Sequence, residues 1–334
     1  MKVNKNWFIV IAMFISVIML ISGCSDKEKE DEVDIGYSLK LEKGSYRSLL
    51  DGETSIFSLN NENVYENIYT DEIIVYYNSN SSNYVYTKDG EIFVKYQGKD
   101  IKINDKSVQE LKLSSDGNYL FYFINDSYLK PVVLKLDDES KIELNNNAMI
   151  SGKFIDWVSD NKLVYYGIRN DDKKSGVFTY DITDDNEELV YEISMGYISY
   201  LKALGDEVVF IEDNMENKKL LISLDKENNS REITDKILDL KDVIKIDEKI
   251  YILGKVKDGV YSIYEFLDDK LHRVVYDFPL MINLEKGLSC NKAGELLFMG
   301  SNDDYNEQNI YSYFDGSVKL VSNKSGKYTF INMN

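Results

Sequence analysis

The stretch Leu113-Ser114-Ser115-Asp116-Gly117-Asn118-Tyr119-Leu120-Phe121-Tyr122-Phe123 places a polar turn directly before an apolar strand. Asp, Gly and Asn favour turns because they tolerate the backbone conformations that turns require, whereas Leu, Phe and Tyr favour strands. The same combination recurs later in the chain, at residues 159–166, 205–210, 247–252 and 293–298. The copies are spaced by 43, 45, 42 and 46 residues when measured between the equivalent positions Leu120, Leu163, Val208, Ile250 and Leu296. A repeat of this length indicates a fold built from similar supersecondary units.

Each copy continues with a loop, a second apolar strand and a third strand, and one further strand precedes its turn. Four antiparallel strands that repeat about every 44 residues are typical of a β-propeller blade. Such small sheets bury both faces only when they stack around a ring, which also protects their edges. We therefore predict an all-β fold, with blades at about residues 70–104, 108–145, 150–193, 197–236, 240–278 and 284–323.

The sequence leaves the number of blades at six or seven. Residues 37–66 and the closing Tyr328-Thr329-Phe330-Ile331 lie outside the six full units. They could pair with each other as one composite blade that joins both ends of a propeller domain spanning residues 37–334.

The stretch at residues 113–123, followed by the strands at 132–136 and 141–144, resembles the repeat of TolB-type propellers. That repeat runs roughly Ser-Pro-Asp-Gly, apolar strand, loop, apolar strand, Asp-containing turn and strand. Ser115 stands here in place of the proline, and the later copies depart further from the pattern. The resemblance covers about residues 70–323 and implies an architecture rather than a close relative.

The N-terminal segment differs in kind from the repeats. Lys2 and Lys5 precede an uncharged apolar run at residues 7–21, which is shorter than the roughly 20 residues that a membrane-spanning helix needs. Leu20-Ile21-Ser22-Gly23-Cys24 resembles a bacterial lipobox. This resemblance implies cleavage between Gly23 and Cys24, with a diacylglycerol attached to the Cys24 thiol.

This resemblance divides the N-terminal region into a signal peptide at residues 1–23 and a lipidated, charged tether at residues 24–36. The tether has too few apolar residues to fold by itself. The alternative is an uncleaved N-terminal anchor helix, in which Cys24 has no role. Both interpretations place the rest of the chain outside the cytoplasmic membrane, and they differ in the anchor, since the two acyl chains of a diacylglycerol give stable attachment where one chain would be marginal.

The composition excludes several classes of function. The chain has 58 acidic and 39 basic residues, with a formal charge of −19, which disfavours nucleic acid as a partner. A single histidine, His272, precludes a multi-histidine metal site, and two cysteines cannot form a disulfide framework. We expect His272 to be an ordinary outer-strand residue and Cys290 a buried apolar thiol. The sequence has no Gly-x-Ser-x-Gly elbow, no P-loop, no His-Glu-x-x-His and no paired-cysteine zinc motif, and it implies no cofactor.

The loops between the second and third strands are the candidate ligand face, because propellers carry function on such loops. Every one of these loops contains at least one aspartate, and the candidates are Asp89, Asp126, Asp171, Asp172, Asp213, Asp258, Asp303 and Asp304. A ring of carboxylates could bind a divalent cation or a cationic ligand. The alternative is that these residues serve only the geometry of the turns.

Three functions remain open at this point. The first is a lipid-anchored extracytoplasmic propeller that is not an enzyme and that binds an envelope protein or a cell-wall component. The second is a propeller hydrolase or lyase that cleaves envelope polysaccharide with a carboxylate pair. The third is a lipoprotein sensor whose acidic loops bind a cation.

Overall fold

Seven β-sheets form the blades of a propeller in the computed structural model. The model describes residues 39–333 except positions 51, 215, 217 and 304–306 and the side chain at position 153. The predicted all-β propeller is confirmed, and the described part of the chain has seven blades rather than six. Cys24, the signal peptide at 1–23 and the tether at 24–36 lie outside the described residues. No helix within the described ranges is long and apolar enough to cross a membrane.

The strands are grouped here by the blade that they build. Blade 1 contains β1 (Tyr46–Leu50), β2 (Glu53–Leu59) and β3 (Tyr65–Ile68). Blade 2 contains β4 (Ile73–Tyr77), β5 (Tyr84–Lys88), β6 (Glu91–Tyr96) and β7 (Lys99–Ile103). Blade 3 contains β8 (Val108–Leu113), β9 (Tyr119–Asn125), β10 (Leu129–Lys135) and β11 (Ser140–Ile142). Blade 4 contains β12 (Ala148–Trp157), β13 (Lys162–Arg169), β14 (Ser175–Asp181) and β15 (Asn186–Ile193).

The remaining strands complete blades 5 to 7 and close the ring. Blade 5 contains β16 (Tyr197–Leu204), β17 (Glu207–Asp213), β18 (Lys219–Leu224) and β19 (Ser230–Thr234). Blade 6 contains β20 (Ile237–Ile246), β21 (Lys249–Val256), β22 (Tyr261–Leu267) and β23 (Lys270–Arg273). Blade 7 contains β24 (Met281–Ile282), β25 (Leu288–Cys290), β26 (Leu296–Ser301), β27 (Asn309–Phe314) and β28 (Ser317–Leu320). The closing strands are β29 (Lys327–Phe330) and β30 (Asn332–Met333).

Blade 1 is a composite of both ends of the described chain. Its strand order is β29-β1-β2-β3, with Tyr46 opposite Phe330 in the antiparallel β1–β29 pair. The chain then continues into β30, which pairs in parallel with β4 of blade 2. The last residues of the described chain thus hold the first two blades together, as the sequence of the closing segment allowed.

One apolar cluster fills each interface between neighbouring blades. The cluster between blades 2 and 3 includes four fully buried side chains, those of Val85, Val94, Leu120 and Tyr122. Tyr46, Leu297 and Phe330 belong to the cluster that seals blade 7 against blade 1. Because strand side chains alternate between the two faces of a sheet, each strand contributes to the clusters on both sides. Seven such clusters connect the described blades into a closed ring.

Tyrosine hydroxyl groups bond carboxylates at the edges of these clusters. The hydroxyl of Tyr84 donates to Glu72 at 2.8 Å, and that of Tyr191 donates to Glu212 at 2.7 Å. Tyr165 makes the same kind of bond with Glu187. A tyrosine ring can therefore fill an apolar interface while its hydroxyl remains hydrogen-bonded. This arrangement accommodates both the 26 tyrosines and the many acidic residues of the chain.

The turn at residues 114–118 packs against the preceding blade. The side-chain amide of Asn78 donates to the carbonyl of Ser114 at 2.9 Å, and that of Asn83 donates to the carbonyl of Gly117 at 3.0 Å. Gly117 has a φ of +73°, and a Cβ atom there would lie 2.3 Å from the Oγ of Ser81. The turn therefore requires glycine both for its backbone conformation and for its contact with blade 2.

The strand order gives the ring two distinct faces. The face that carries the turns between second and third strands and the connections between blades is called the upper face. The lower face carries the turns between first and second strands and between third and fourth strands. Each blade runs from its innermost strand outward, so equivalent turns of all blades lie on the same face.

Candidate functional site

The predicted acidic loops all lie on the upper face. Asp89, Asp126, Asp258 and Asp303 are exposed in the turns of blades 2, 3, 6 and 7. Asp89 and Asp258 have positive φ angles of 52° and 59°, a conformation that aspartate tolerates better than most residues. Asp304 lies outside the described residues.

The acidic residues of blade 4 are engaged by their own loop and by the connection that precedes β12. Asp171 accepts a hydrogen bond from the side chain of Asn147 at 3.0 Å. Asp172 accepts from the guanidinium of Arg169 at 3.2 Å and from the backbone NH of Lys174 at 3.1 Å. These contacts are those of carboxylates that stabilise a turn.

Asp213 of blade 5 differs from the other candidates because it is buried. Its carboxylate lies 3.5 Å from the ammonium of Lys219 and 3.4 Å from the hydroxyl of Tyr197. Across the described ranges, no group of three or more His, Cys, Asp or Glu side chains is placed to hold a metal ion. The cation-binding face therefore stays a prediction, and no coordinating group in the described residues supports it.

Exposed apolar side chains are concentrated on the same upper face. Among the described residues, the exposed large apolar side chains lie at upper-face positions, with the exceptions of Val64, Leu267 and Phe314. The upper-face members are Leu49, Tyr69, Ile73, Tyr128, Met149, Met195, Tyr197, Leu238, Val260, Tyr261, Tyr276, Phe278, Leu280 and Leu320. Single exposed apolar residues are ordinary on a protein surface, but here they are distributed unevenly between the two faces of the ring.

More than half of these upper-face residues belong to blades 5 and 6 and to the connection into blade 7. We call this group the upper apolar surface, and it consists of Met195, Tyr197, Leu238, Val260, Tyr261, Tyr276, Phe278 and Leu280. The side chains of Met195, Tyr276 and Leu280 are 67%, 61% and 67% exposed. Tyr276 is held by the guanidinium of Arg273, which lies 5.0 Å from the centre of its ring. This surface could not be predicted from the sequence, because the exposure of its side chains depends on the course of the connections between blades.

The innermost strands enclose a second candidate site, a central cavity of about 1730 Å³. Its lining includes inner-strand residues such as Lys112, Asp156 and Asp242, and lower-face turn residues such as Asp206 and Asp247. None of the predicted acidic loop residues within the described ranges lines this cavity. The predicted loops and the central cavity are thus separate features of the ring.

Charged pairs cross the cavity wall from blade to blade. The ammonium of Lys112 on blade 3 lies 3.1 Å from the carboxylate of Asp156 on blade 4, and Asp156 also accepts from the backbone NH of Ala203 on blade 5 at 3.0 Å. The arrangement recurs between the next blades. Lys202 of blade 5 lies 2.7 Å from Asp242 of blade 6, which accepts from the NH of Leu288 in blade 7 at 2.8 Å. Each aspartate therefore connects three consecutive blades.

Tyr200 is part of the second of these networks. Its hydroxyl donates to Asp242 at 3.0 Å and accepts from the backbone NH of Val243 at 3.1 Å. Burial and the neighbouring negative charge of Asp242 raise the pKa of Tyr200 far above its ordinary value. Tyr200 therefore acts as a neutral hydrogen-bonding group at neutral pH.

A smaller cavity of about 380 Å³ lies on the lower face between blades 3 and 4. Asp116 and Asp160, which occupy equivalent turns of the two blades, both line it. Burial and the negative charge of Asp116 raise the pKa of Asp160 above its ordinary value. Asp116 is held by a hydrogen bond of 2.6 Å from the hydroxyl of Ser114 and by one of 3.0 Å from the NH of Asn118. The two carboxylates thus occupy different environments.

The remaining residues named from the sequence have ordinary surroundings. His272 is exposed on β23, the outermost strand of blade 6. Cys290 is half-buried rather than fully buried, and it packs beside the apolar cluster between blades 6 and 7 while lining the central cavity. Burial raises the pKa of its thiol, and the nearby ammonium groups of Lys43 and Lys202 oppose that effect.

Comparison with known proteins relates this chain to solved structures only. No protein-family model and no curated protein matches it. An acylaminoacyl peptidase from Pyrococcus horikoshii is 16% identical with a TM-score of 0.51, and the match covers 75% of this chain and 46% of the peptidase. This chain thus spans less than half the length of that enzyme.

Two further solved structures match this chain over more of their own length. An oligogalacturonate lyase from Vibrio parahaemolyticus is 14% identical with a TM-score of 0.54, over 84% of this chain and 85% of the lyase. TolB from Acinetobacter baumannii is 9% identical with a TM-score of 0.44, over 88% of this chain and 81% of TolB. The match to the lyase is a likeness of fold alone, and the fold of the described residues is the propeller expected from the repeat.

The prediction that the chain is not an enzyme is corrected by these comparisons. The similar structures include peptidases and a lyase, so this propeller fold is one that occurs in enzymes. The prediction depended on missing sequence motifs, and such motifs describe particular catalytic families rather than propellers in general. Neither a catalytic nor a binding role follows from the fold itself.

Proposed function

We propose that this chain is a lipid-anchored extracytoplasmic β-propeller that binds another envelope protein through its upper apolar surface. The observation that carries the proposal is the concentration of exposed apolar side chains on one face of the ring. Propeller faces are suited to binding because rigid blades hold the loops in fixed positions.

The composition of the upper apolar surface favours a protein partner. Tyr197, Tyr261, Tyr276, Phe278 and Met195 are of the residue types enriched at protein–protein interfaces. Their rings provide large contact areas with few rotatable bonds, so little conformational entropy is lost on binding. Exposed polar groups around them, such as Asp258 in its turn, match the polar rim of an interface.

The lipid anchor would place this surface at the membrane. A diacylglycerol on Cys24 supplies stable attachment, and the charged segment at 24–36 supplies reach. The negative charge of the chain disfavours direct adsorption to anionic headgroups, so attachment through the lipid leaves the blades available to partners.

Site-directed photo-crosslinking in intact cells of the native host tests the proposal. A photoreactive residue at position 276 or 280 should crosslink to a protein, and Tyr276→Asp combined with Leu280→Asp should reduce recovery of that protein at least tenfold. The matched control is Phe314, which is 55% exposed on the lower face. A photoreactive residue there, or Phe314→Asp, should have neither effect. Equal crosslinking from both faces, or crosslinking of position 276 only to wall polymer, would contradict the proposal.

A second candidate function is hydrolysis or elimination on an envelope polysaccharide. The pair formed by Asp116 and Asp160 favours it, because the two carboxylates differ in environment and one has a raised pKa. Carboxylates in unequal surroundings are suited to act as acid and base. Asp160 would be the proton donor and Asp116 the second carboxylate of the pair.

Release of reducing ends from purified cell-wall polysaccharide tests this second candidate. Asp160→Asn should lower the rate at least a hundredfold, whereas Asp138→Asn, in an exposed turn of blade 3, should leave it unchanged. No release by the unaltered chain, or equal rates for Asp160→Asn and the unaltered chain, would rule out this role for the pair.

A further inference from the structure

The wall of the central cavity is uneven in its charge pairing. On blades 3 to 6, three cations of the inner strands meet carboxylates of a neighbouring blade, and Lys241 meets Asp239 of its own strand at 3.3 Å. The pairs between blades are Lys112 with Asp156 at 3.1 Å, Lys202 with Asp242 at 2.7 Å and Lys245 with Glu207 at 3.1 Å. The part of the wall formed by blades 1 and 7 is different.

Arg47 is the main cation of that part of the wall. It lies on β1 opposite Ile56, whose side chain belongs to the cluster between blades 1 and 2. The Nε of Arg47 is buried, and no described residue accepts a hydrogen bond from it or forms an ion pair with the guanidinium. Burial lowers the pKa of Arg47, as expected for a charge removed from water without a counter-charge. A buried cation of this kind is costly unless an anion pairs with it.

Two lysines flank Arg47 along the same part of the wall. The side chain of Lys43 is exposed at the cavity, four residues before Arg47. The ammonium of Lys286 in blade 7 donates to the hydroxyl of Thr329 at 3.2 Å. Thr329 is the register partner of Arg47 in the β1–β29 pair, so their side chains lie on the same face of the sheet. Neither lysine forms an ion pair with a described carboxylate.

We propose that Arg47, with Lys43 and Lys286, binds the carboxylate or phosphate group of a small ligand that occupies the central cavity. A guanidinium presents parallel NH donors that match the two oxygens of either group. The cavity of about 1730 Å³ accommodates a ligand of oligosaccharide or short-peptide size. None of the residues of the upper apolar surface lines this cavity, and the site is independent of the function proposed for that surface.

The acidic lower-face turns around the cavity narrow the class of ligand. Asp206, Asp247 and Glu248 all line the cavity. Their charges oppose the entry of a polyanion and favour a ligand whose anionic group is accompanied by neutral or positive groups. A zwitterion such as a short peptide fits this distribution better than a polyphosphate.

Calorimetric titration of the full chain in detergent tests the site with defined probes. Triglycine, which has a free carboxylate and an ammonium group, should bind at least ten times more tightly than triglycine amide. Glycerol 2-phosphate compared with glycerol tests phosphate in the same way. Arg47→Met should weaken binding of the preferred anion at least tenfold while keeping the aliphatic part of the side chain. Arg231→Met, on the exposed outer strand of blade 5, is the matched control and should leave the affinity unchanged.

Several results would overturn the site. These are equal binding of each probe and its analogue without the anionic group, an Arg47→Met affinity within twofold of the unaltered chain, or no binding of either triglycine or glycerol 2-phosphate. Should Arg47→Met fail to fold, Lys43→Met and Lys286→Met provide the same test, because both side chains are exposed. Each should weaken binding at least twofold, and unchanged affinity in both would overturn the site. Crosslinking from the upper apolar surface should be the same in all of these variants.

Discussion

The ammonium of Lys202 in blade 5 lies 2.7 Å from the carboxylate of Asp242 in blade 6. Lys112 and Asp156 repeat this relationship between blades 3 and 4. In both cases the aspartate also accepts a backbone NH of the blade beyond. Hydrogen bonds depend on direction where apolar contacts do not, so these networks fix the angle between neighbouring blades.

Removal of Asp242 should destabilise the ring. Asp242→Ala leaves Lys202, the Tyr200 hydroxyl and the NH of Leu288 without their common acceptor, and should cost about 3 kcal/mol in the free energy of unfolding. Urea denaturation measures this cost. The matched control, Asp71→Ala, removes an exposed partner of Lys88 and should cause no measurable change. Equal stability of the two variants would show that the Asp242 network does not hold the blades.

Closure of the ring should depend on the last strands. Phe330 is 8% exposed in the cluster between blades 7 and 1, whereas Phe314 is 55% exposed on the lower face. Phe330→Ala should therefore lower the free energy of unfolding by about 3 kcal/mol, because it leaves a cavity in that cluster. Phe314→Ala should change it by less than about 0.5 kcal/mol. Thermal unfolding followed by circular dichroism distinguishes the two, and similar losses would contradict closure through β29.

The decrease in the free energy of unfolding at acidic pH should depend on Asp105. Burial alone would raise the pKa of Asp105, but hydrogen bonds from Lys141 and Tyr122 outweigh it, and the pKa lies below the ordinary value. A lowered pKa in the folded state stabilises the fold above the ordinary carboxyl pKa of about 4. This stabilisation is lost as the pH falls through the lower, folded value.

Tyr122→Phe should reduce this effect because it removes one of the two donors to Asp105. Urea unfolding from pH 3 to pH 7 should show a smaller loss of stability below pH 4 than in the unaltered chain. Tyr128→Phe, at an exposed upper-face position, should follow the unaltered profile. A profile for Tyr122→Phe that stays parallel to the unaltered one would contradict the role of this bond.

The Cys290 thiol should react slowly at neutral pH. Its raised pKa lowers the fraction of thiolate, which is the reactive form, and half-burial restricts access. In the full chain with Cys24→Ser, modification by a disulfide reagent should be slower than that of free cysteine and should accelerate with rising pH. A rate equal to or above that of free cysteine at pH 7 would contradict this prediction.

Attachment to the membrane should depend on Cys24. Cys24→Ser removes the thiol that the lipobox resemblance identifies as the lipid acceptor, so metabolic labelling with a fatty acid should be lost. Ser25→Ala, the neighbouring change, should label normally. No labelling of the unaltered chain would instead support an uncleaved N-terminal anchor, and labelling of Cys24→Ser would show that the lipid is not attached at Cys24.

Much of the architecture could be predicted from the repeat alone. The turn and strand at residues 113–123 and their later copies predicted the blades, because every blade buries both faces of a small sheet with the same residue types. The count of seven was less accessible, since it depends on Phe330 meeting Tyr46 across most of the chain. Short strands carry little local information about distant partners.

The candidate sites were less predictable than the fold. The acidic loop residues were recognised by composition, but turn geometry favours the same residue types, as the contacts of Asp172 show. Lys112 and Asp156 stood in the predicted strands that precede the turns, as charges among apolar neighbours, a signal that could have pointed to the cavity wall. The sequence contains no such signal for the upper apolar surface, because side chains of the types at Leu280 and Tyr276 are equally compatible with burial.

The sequence by itself determined the strand-and-turn repeat, the excess of negative charge and the lipobox-like segment ending at Cys24, because each depends on residues that are close along the chain. The tertiary structure decided which side chains remain exposed and which charges meet. Arg47 has no paired carboxylate among the residues that the structure describes and Lys202 has one, although both are cations that line the same cavity. That difference arises from the packing of separate blades, whose contacts span 40 residues or more for Lys202 and Asp242.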